Sequence, residues 1–218
     1  MINSEIARKC TEWIRMPSRA AARTTRKSAA ERRAEIASTA ESIARESGLS
    51  SVTMRAVGAR IGIAPTLVLH HAESMDLLVA NTFERIVGSE LGEVTELASQ
   101  VREPGRALPE LLKSVLDGSR TEVTRVWVES WVLGRENAEL AARVRAQMDA
   151  WRALLANLIE AGEAAGVYRV ADPLAVAGQL LGMIDGVGAH SLVGWQDDEN
   201  RVDLMLRAVD AMLGVASD

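Results

Sequence analysis

The segment Thr53–His71, TMRAVGARIGIAPTLVLHH, decides how the chain is read. It parses as two short helices joined by a tight turn at Gly62. Val57, Ile61, Ile63 and Val68 can form an apolar seam between them. Gly58 has no side chain, so the second helix can approach the first closely. Gly62, four residues on, supplies the backbone freedom a sharp turn needs. Pro65 suits the first position of the next helix, where a missing N–H costs nothing. A small residue, a turn glycine four later and then a short helix is the helix-turn-helix pattern, whose second helix enters the DNA major groove. Ordinary helical hairpins share this spacing, so the segment alone leaves both readings open.

The flanks narrow the choice. Thr53, the run Gly62-Ile63-Ala64-Pro65-Thr66-Leu67-Val68-Leu69-His70-His71-Ala72 and the run Ser74-Met75-Asp76-Leu77-Leu78 are spaced like the head of one family. Glu31 to Arg85 resembles the DNA-binding head of the tetracycline-repressor (TetR) family. Leu69 and Ala72 stand where that family carries aromatics, and Met75 where it carries a phosphate-touching lysine. The resemblance implies a DNA-facing set of Thr53, Arg55, Ala64, Pro65, Thr66, Leu67, Leu69, His70 and His71. Within it, Thr66, Leu67 and His70 are expected at base edges, and Thr53 and His71 at phosphates. Leu67 or Leu69 can meet a thymine methyl.

The net charge of −5 fits a DNA binder only once it is divided along the chain. Residues 1–33 hold nine Lys/Arg against three Glu, whereas the chain beyond residue 76 holds thirteen basic and twenty-two acidic residues. A basic end therefore precedes an acidic body, and attraction to phosphate would come from that end. Residues 1–27 are polar and Arg-rich. They are expected to form a flexible arm that either reaches DNA or is a solvated extension. Cys10 is the single cysteine, which excludes an internal disulfide and a cysteine-based metal cluster. No apolar run is long enough to span a membrane, and no signal peptide precedes the first helix, so a cytoplasmic setting is expected.

Ser28 and Glu31 form a capping box that opens a helix with Ile36, Ala40 and Ile43 on one face, ended by Gly48. Residues 28–73 are thus expected to make the helix-turn-helix domain, and residues 74–218 a ligand-binding and dimerisation domain. Ser74 and Asp76 suit the start of a long helix carrying Phe83, Ile86, Val87, Val94 and Leu97 at helical spacing. At about 1.5 Å per residue it would run ~40 Å and join head to body. Pro104 and Gly105 are expected to break the pattern. Beyond them the periodicity predicts helices over roughly Leu108–Leu116, Glu122–Gly134, Ala138–Ala165, Pro173–Val193 and Asn200–Val215. Asp172-Pro173 is a strong start signal. No strand signal appears, so the fold class is all-α.

Residues 121–194 carry Trp127-Val-Glu-Ser-Trp131, Asn137-Ala-Glu-Leu140, Trp151-Arg-Ala-Leu154-Leu155 and Gly182-Met-Ile-Asp185-Gly186. This set resembles the BetI-like, choline-responsive branch of the same family and implies a shared dimeric scaffold, not choline as the ligand. Trp127 and Trp131 share a helix face at i, i+4. With Phe83, Met148, Trp151, Leu180 and Met183 they are expected to line a ligand cavity between helices, or else a plain packed core. Asp185 is the one odd acid in an apolar helix. A neutral or weakly polar effector is favoured over a cation on that lone carboxylate. The glycines Gly178, Gly182, Gly186 and Gly188 suggest a close helix–helix approach in a two-fold homodimer.

His70 and His71 are adjacent and point about 100° apart, and His190 is distant, so no chelating pair forms. No phosphate loop, nucleophile motif or spaced carboxylate cluster appears. The sequence therefore implies no metal, no cofactor and no enzyme. It reads as a ligand-responsive regulator, a repressor released from a palindromic double-stranded operator by an apolar or amphipathic small molecule. The alternative is a helical ligand-binding or adaptor protein that has lost DNA binding, supported by Leu69, Ala72 and Met75.

Overall fold

A computed structural model describes residues 27–195 and 200–215. The arm expected over residues 1–27 lies outside the described residues, apart from Lys27. Among the described residues there are nine α-helices and no strand. They are α1 (Ala29–Ser47), α2 (Met54–Ile61), α3 (Pro65–Ala72), α4 (Met75–Gln100), α5 (Pro104–Leu116), α6 (Thr121–Leu133), α7 (Ala138–Ala164), α8 (Pro173–Ser191) and α9 (Arg201–Met212). A short 3₁₀ turn, Leu49–Ser51, separates α1 from α2.

Helix starts follow local chemistry. Ser28 Oγ accepts the Glu31 N–H at 3.2 Å and Glu31 Oε2 accepts the Ser28 N–H at 2.7 Å, a complete capping box. Thr53, Ser74, Asn137 and Asp172 each accept an N–H from the first turn of the helix they precede. Asn137 also donates its amide to the Asp76 carbonyl at 3.0 Å, which pins the start of α7 to the start of α4.

The pattern breaks at residues 101–103, as expected before Pro104 and Gly105, and Pro104 itself opens the next helix. Proline at the first position of α5 forfeits no helical bond, so the helix begins four residues earlier than the spacing predicted. Pro109 then sits inside the helix and cannot donate to the Gly105 carbonyl. That carbonyl accepts the Tyr168 hydroxyl at 2.7 Å, which replaces the missing bond.

Two apolar clusters hold the molecule. One joins α1, α2, α3 and the first half of α4 to Val123 and Val126 of α6 and Leu140 and Val144 of α7. The other joins the second half of α4 to α5, α7, α8 and α9. Trp127 packs against both. Phe83, Ile86, Leu111 and Leu155 are fully buried, each contributing about 1.5–3 kcal/mol relative to exposure. The head core thus runs across residue 73 into α6 and α7 and does not close on itself at that boundary. No helix among the described residues is long and apolar enough to cross a membrane.

Candidate nucleic-acid interface and effector cavity

The turn between α2 and α3 is shaped by two glycines for two different reasons. Gly62 takes the left-handed conformation, φ 71° and ψ 36°, with open space where a side chain would go. Gly58 is helical, but a Cβ on it would lie 2.7 Å from the Ile63 carbonyl oxygen. Backbone thus packs on backbone there. The Ile63 N–H donates to the Gly58 carbonyl at 2.9 Å and closes the end of α2. Val57 and Val68 are fully buried in the seam, with Ile61 and Ile63 packed beside them.

Burying Val68 turns the opposite face of α3 outward. Ala64, Pro65, Thr66, Leu67, Leu69 and His70 are exposed, as are Thr53 and Arg55 at the start of α2, and His71 is half-buried. The structure thus places the nine sequence-derived head residues on one head, eight of them exposed. No side chain caps the N-terminus of α3. The His70 and His71 rings meet edge to face at 5.2 Å. Burial, then the charges of His70, Arg32 and Arg33, hold His71 below the usual imidazole range. A neutral His71 can still donate a hydrogen bond to phosphate, but it brings no full charge.

Arg60 is committed elsewhere. Its guanidinium binds Glu46 at 2.7 Å and Ser42 at 3.2 Å, and the hydrogen bond from Arg60, then that from Ser42, hold Glu46 at about 2. Lys27 and Arg32 share Glu35 and border a groove that also includes Leu67 and His71.

A second site lies between α4, α6, α7 and α8. It is a cleft open to solvent, with about 560 Å³ of atom-free space once the open mouth is included. Trp127, Trp131, Met148 and Trp151, all expected there, line it. Phe83, Leu180 and Met183 do not. Phe83 is fully buried beneath Trp127, edge-on with ring centroids 5.1 Å apart. Leu180 is fully buried in the second core cluster, and Met183 packs against that cluster. The lining face of α8 is Leu181, Ile184, Asp185 and Gly188, one helical step from the expected one.

Among the lining residues that sequence reading missed, Glu90 is the charged one. It is 7% exposed, and its Oε2 accepts the Trp127 indole N–H at 3.3 Å. Burial pushes its carboxyl above the usual range, against the pull of that hydrogen bond. A signal was present. Glu90 falls in phase with Phe83, Ile86, Val87 and Val94, on the buried stripe of α4. Asp185 lines the same cavity, and burial pushes it up to about 6. Three tryptophans and two partly desolvated carboxylates therefore face one small space. Among the described residues no group of three His, Cys, Asp or Glu is placed to hold a metal.

The comparisons with known proteins agree with this architecture. The family model for the C-terminal domain of BetI-type transcriptional repressors, a TetR C-terminal model, matches residues 104–214. A transcriptional regulator of Saccharomonospora viridis, solved in complex with choline, is similar with a TM-score of 0.73. It shares 21% identity over 86% of this chain and 100% of that one. A transcriptional regulator of Pseudomonas aeruginosa PAO1 gives a TM-score of 0.72 at 18% identity, over 88% of this chain and 95% of that one. Reduced E. coli NemR gives 0.70 at 15% identity, over 85% and 99%. No curated protein matches. An all-α body joined to a helix-turn-helix head is the fold this chain shares with these regulators. The chain belongs to the BetI-type transcriptional repressors of the TetR family.

Proposed function

We propose that the chain is a homodimeric repressor that leaves a near-palindromic operator when a small organic cation enters the cavity. The observation that carries the ligand class is the pairing of Glu90 and Asp185 with Trp127, Trp131 and Trp151 around one space. Aromatic faces attract a cation, and more strongly when it is desolvated. A buried carboxylate and a half-buried one would be costly there without a positive partner. With Glu90 in place, the carboxylate support for a cation no longer rests on Asp185 alone, and the cation displaces the neutral effector as the favoured reading. The choline found in the Saccharomonospora viridis relative is of this chemical class. Effector binding can release DNA only if it favours one conformation over another.

The linkage gives a test with a definite sign. Asp185 has a raised folded-state value, so in the ligand-free protein its contribution favours folding below its unfolded value of 3.8 and is lost as pH rises through about 6. A cation needs the carboxylate ionised. Choline and tetramethylammonium are therefore expected to bind about tenfold more weakly for each pH unit below that value. Tryptophan fluorescence from pH 5 to 8 reads this directly, and a flat affinity profile would rule out the carboxylate pair as the cation's partner. Trp131→Ala should weaken choline binding about tenfold, a loss of ~1.4 kcal/mol of cation–π energy. Its effect on operator retention should stay small.

The recognition residues fit a major-groove helix. Thr66, Leu67 and His70 lie on the exposed face of α3, and its uncapped N-terminus suits a phosphate. The dimer reading rests on α8 and α9. Gly182 and Gly186 have open space beside them, and Leu174, Val193, Trp195 and Leu204 are exposed. The apolar face of α9 is largely spent inside the protomer. Met205, Val209 and Leu213 are buried in the second cluster, and Leu204 is the outward residue. Gly182→Arg is expected to split the dimer and abolish operator retention without lowering helix content. A dimeric, DNA-binding Gly182→Arg protein in sedimentation and retention assays would move the interface elsewhere.

A further inference from the structure

The three tryptophans of the cleft differ at their indole nitrogens. Trp127 spends its N–H on Glu90. The Trp131 and Trp151 indole nitrogens are buried, and among the described residues neither finds an acceptor. Trp151 is only 4% exposed as a whole, so bulk water does not serve it. The two rings come from different helices, α6 and α7, and line the same space. Gln147 Oε1, one turn before Trp151 on α7, is a buried acceptor that is also unpaired, so neither indole is bonded to it. A buried donor without a partner carries the full cost of its desolvation, and native structures leave few of them. Two such donors on residues of one cleft call for an acceptor from outside the chain.

We propose that Trp131 and Trp151 select the effector by an uncharged oxygen, a hydroxyl or a carbonyl, that accepts from both indole N–H groups. The proposal rests on reading the cleft as the effector site. It is separate from the attraction of a cation, which uses the ring faces and the carboxylates. A tryptophan can serve both ends of a ligand, because its face and its N–H edge are different parts of the ring. One oxygen with two lone pairs can take both donors. A carboxylate also accepts, but Glu90 and Asp185 line the same cleft and repel a further negative group. A site that offers buried donors rejects an analogue without the acceptor, because the donors then stay unpaired.

The test compares probes of nearly equal shape on the intact protein. Choline and propyltrimethylammonium share the cationic head, and a methyl replaces the hydroxyl in the second. Dimethylbutanol, the neutral isostere of choline, keeps the hydroxyl and has carbon in place of the charged nitrogen. Calorimetry gives the affinities, and NMR of nitrogen-15 tryptophan follows the indole N–H signals. Trp131→Phe and Trp151→Phe assign the two signals, and each removes one donor while keeping an aromatic face. Wild-type protein is expected to bind choline about tenfold more tightly than propyltrimethylammonium, and each phenylalanine variant should lower that ratio about threefold. The ratio cancels any weakening of the ring face, since both probes carry the same cation. Choline should move the Trp131 and Trp151 N–H signals downfield, and propyltrimethylammonium should not. Equal affinities of the wild type for the two cations would overturn the proposal, as would bound choline that leaves both signals in place. So would a failure of both choline and dimethylbutanol to bind. These readings use wild-type protein, so a phenylalanine variant that fails to fold does not remove the test. If dimethylbutanol moves the two signals while choline does not bind, the oxygen selection stands and the cation reading fails.

Discussion

Gly58→Val is expected to abolish operator retention and lower the melting temperature by about 6–12 °C. A Cβ at this position would sit 2.7 Å from the Ile63 carbonyl oxygen and 3.5 Å from both Pro65 N and Val68 Cγ2. The first of these is backbone, so no side-chain rotation relieves it. Helix α3 must move away from α2 as a unit. Overpacking of this kind costs typically 1–3 kcal/mol, and a β-branched side chain adds two further carbons to the clash. Valine recovers part of the ~1 kcal/mol by which glycine disfavours a helix. A net loss of ~3 kcal/mol corresponds to the stated shift for a chain of this length. Function suffers more than stability, because Thr66 and His70 are displaced with α3. Gly62→Ala is the control. It has open space but a left-handed backbone, so its cost is only the ~1–2 kcal/mol of that conformation. Thermal melts and DNA retention measured on both variants decide the matter. A Gly58→Val protein that keeps wild-type affinity for DNA would show that the α2–α3 packing does not set the recognition surface.

Gly162→Ala is expected to cost about 2–4 kcal/mol, with the head unaffected at temperatures where the protein stays folded. The added methyl would stand 2.1–2.2 Å from Cδ2 and Cε2 of Tyr168, a side chain only 6% exposed. Swinging the ring aside withdraws its hydroxyl from the Gly105 carbonyl, the acceptor that Pro109 leaves without a helical donor. The loss thus combines overpacking with an orphaned, part-buried carbonyl, for which about 1–3 kcal/mol is the fully buried limit. Tyr168→Phe should show the second part without the first. In a Tyr168→Ala background the ring is gone, and Gly162→Ala should then cost little or nothing. If the two substitutions are instead additive in thermal melts, the glycine is not there to seat the tyrosine.

Glu90 and the α5 start mark where sequence reading met its limit. Pro104 was informative in both directions, since proline both ends helices and begins them. Only the position of Tyr168 over Gly105 shows how Pro109 is tolerated inside the helix that follows. Glu90 could be placed on the buried stripe of α4 by its phase. Its use could not be read, because the indole that holds it comes from α6, 37 residues away. The α8 lining face was one step out for a related reason. A helix that is mostly apolar gives little periodicity to say which side faces the cavity, so Leu180 and Leu181 are equivalent until their neighbours are known.

What the sequence determined by itself is the local half of the molecule. The caps at Ser28, Thr53, Ser74, Asn137 and Asp172 and the turn at Gly58 and Gly62 are settled by groups within a few residues of one another. The all-α class and the outward face of α3 follow from apolar spacing along single helices. Tertiary structure alone decided the relations between helices. It put two carboxylates beside three tryptophans, spent Met205, Val209 and Leu213 inside the protomer, and set Glu122, Arg125 and Glu129 on the end of α1. Charges on a helix surface look alike in sequence. Which of them meet a partner depends on packing angles between helices, and these are set by the summed burial of many apolar side chains distant in the chain.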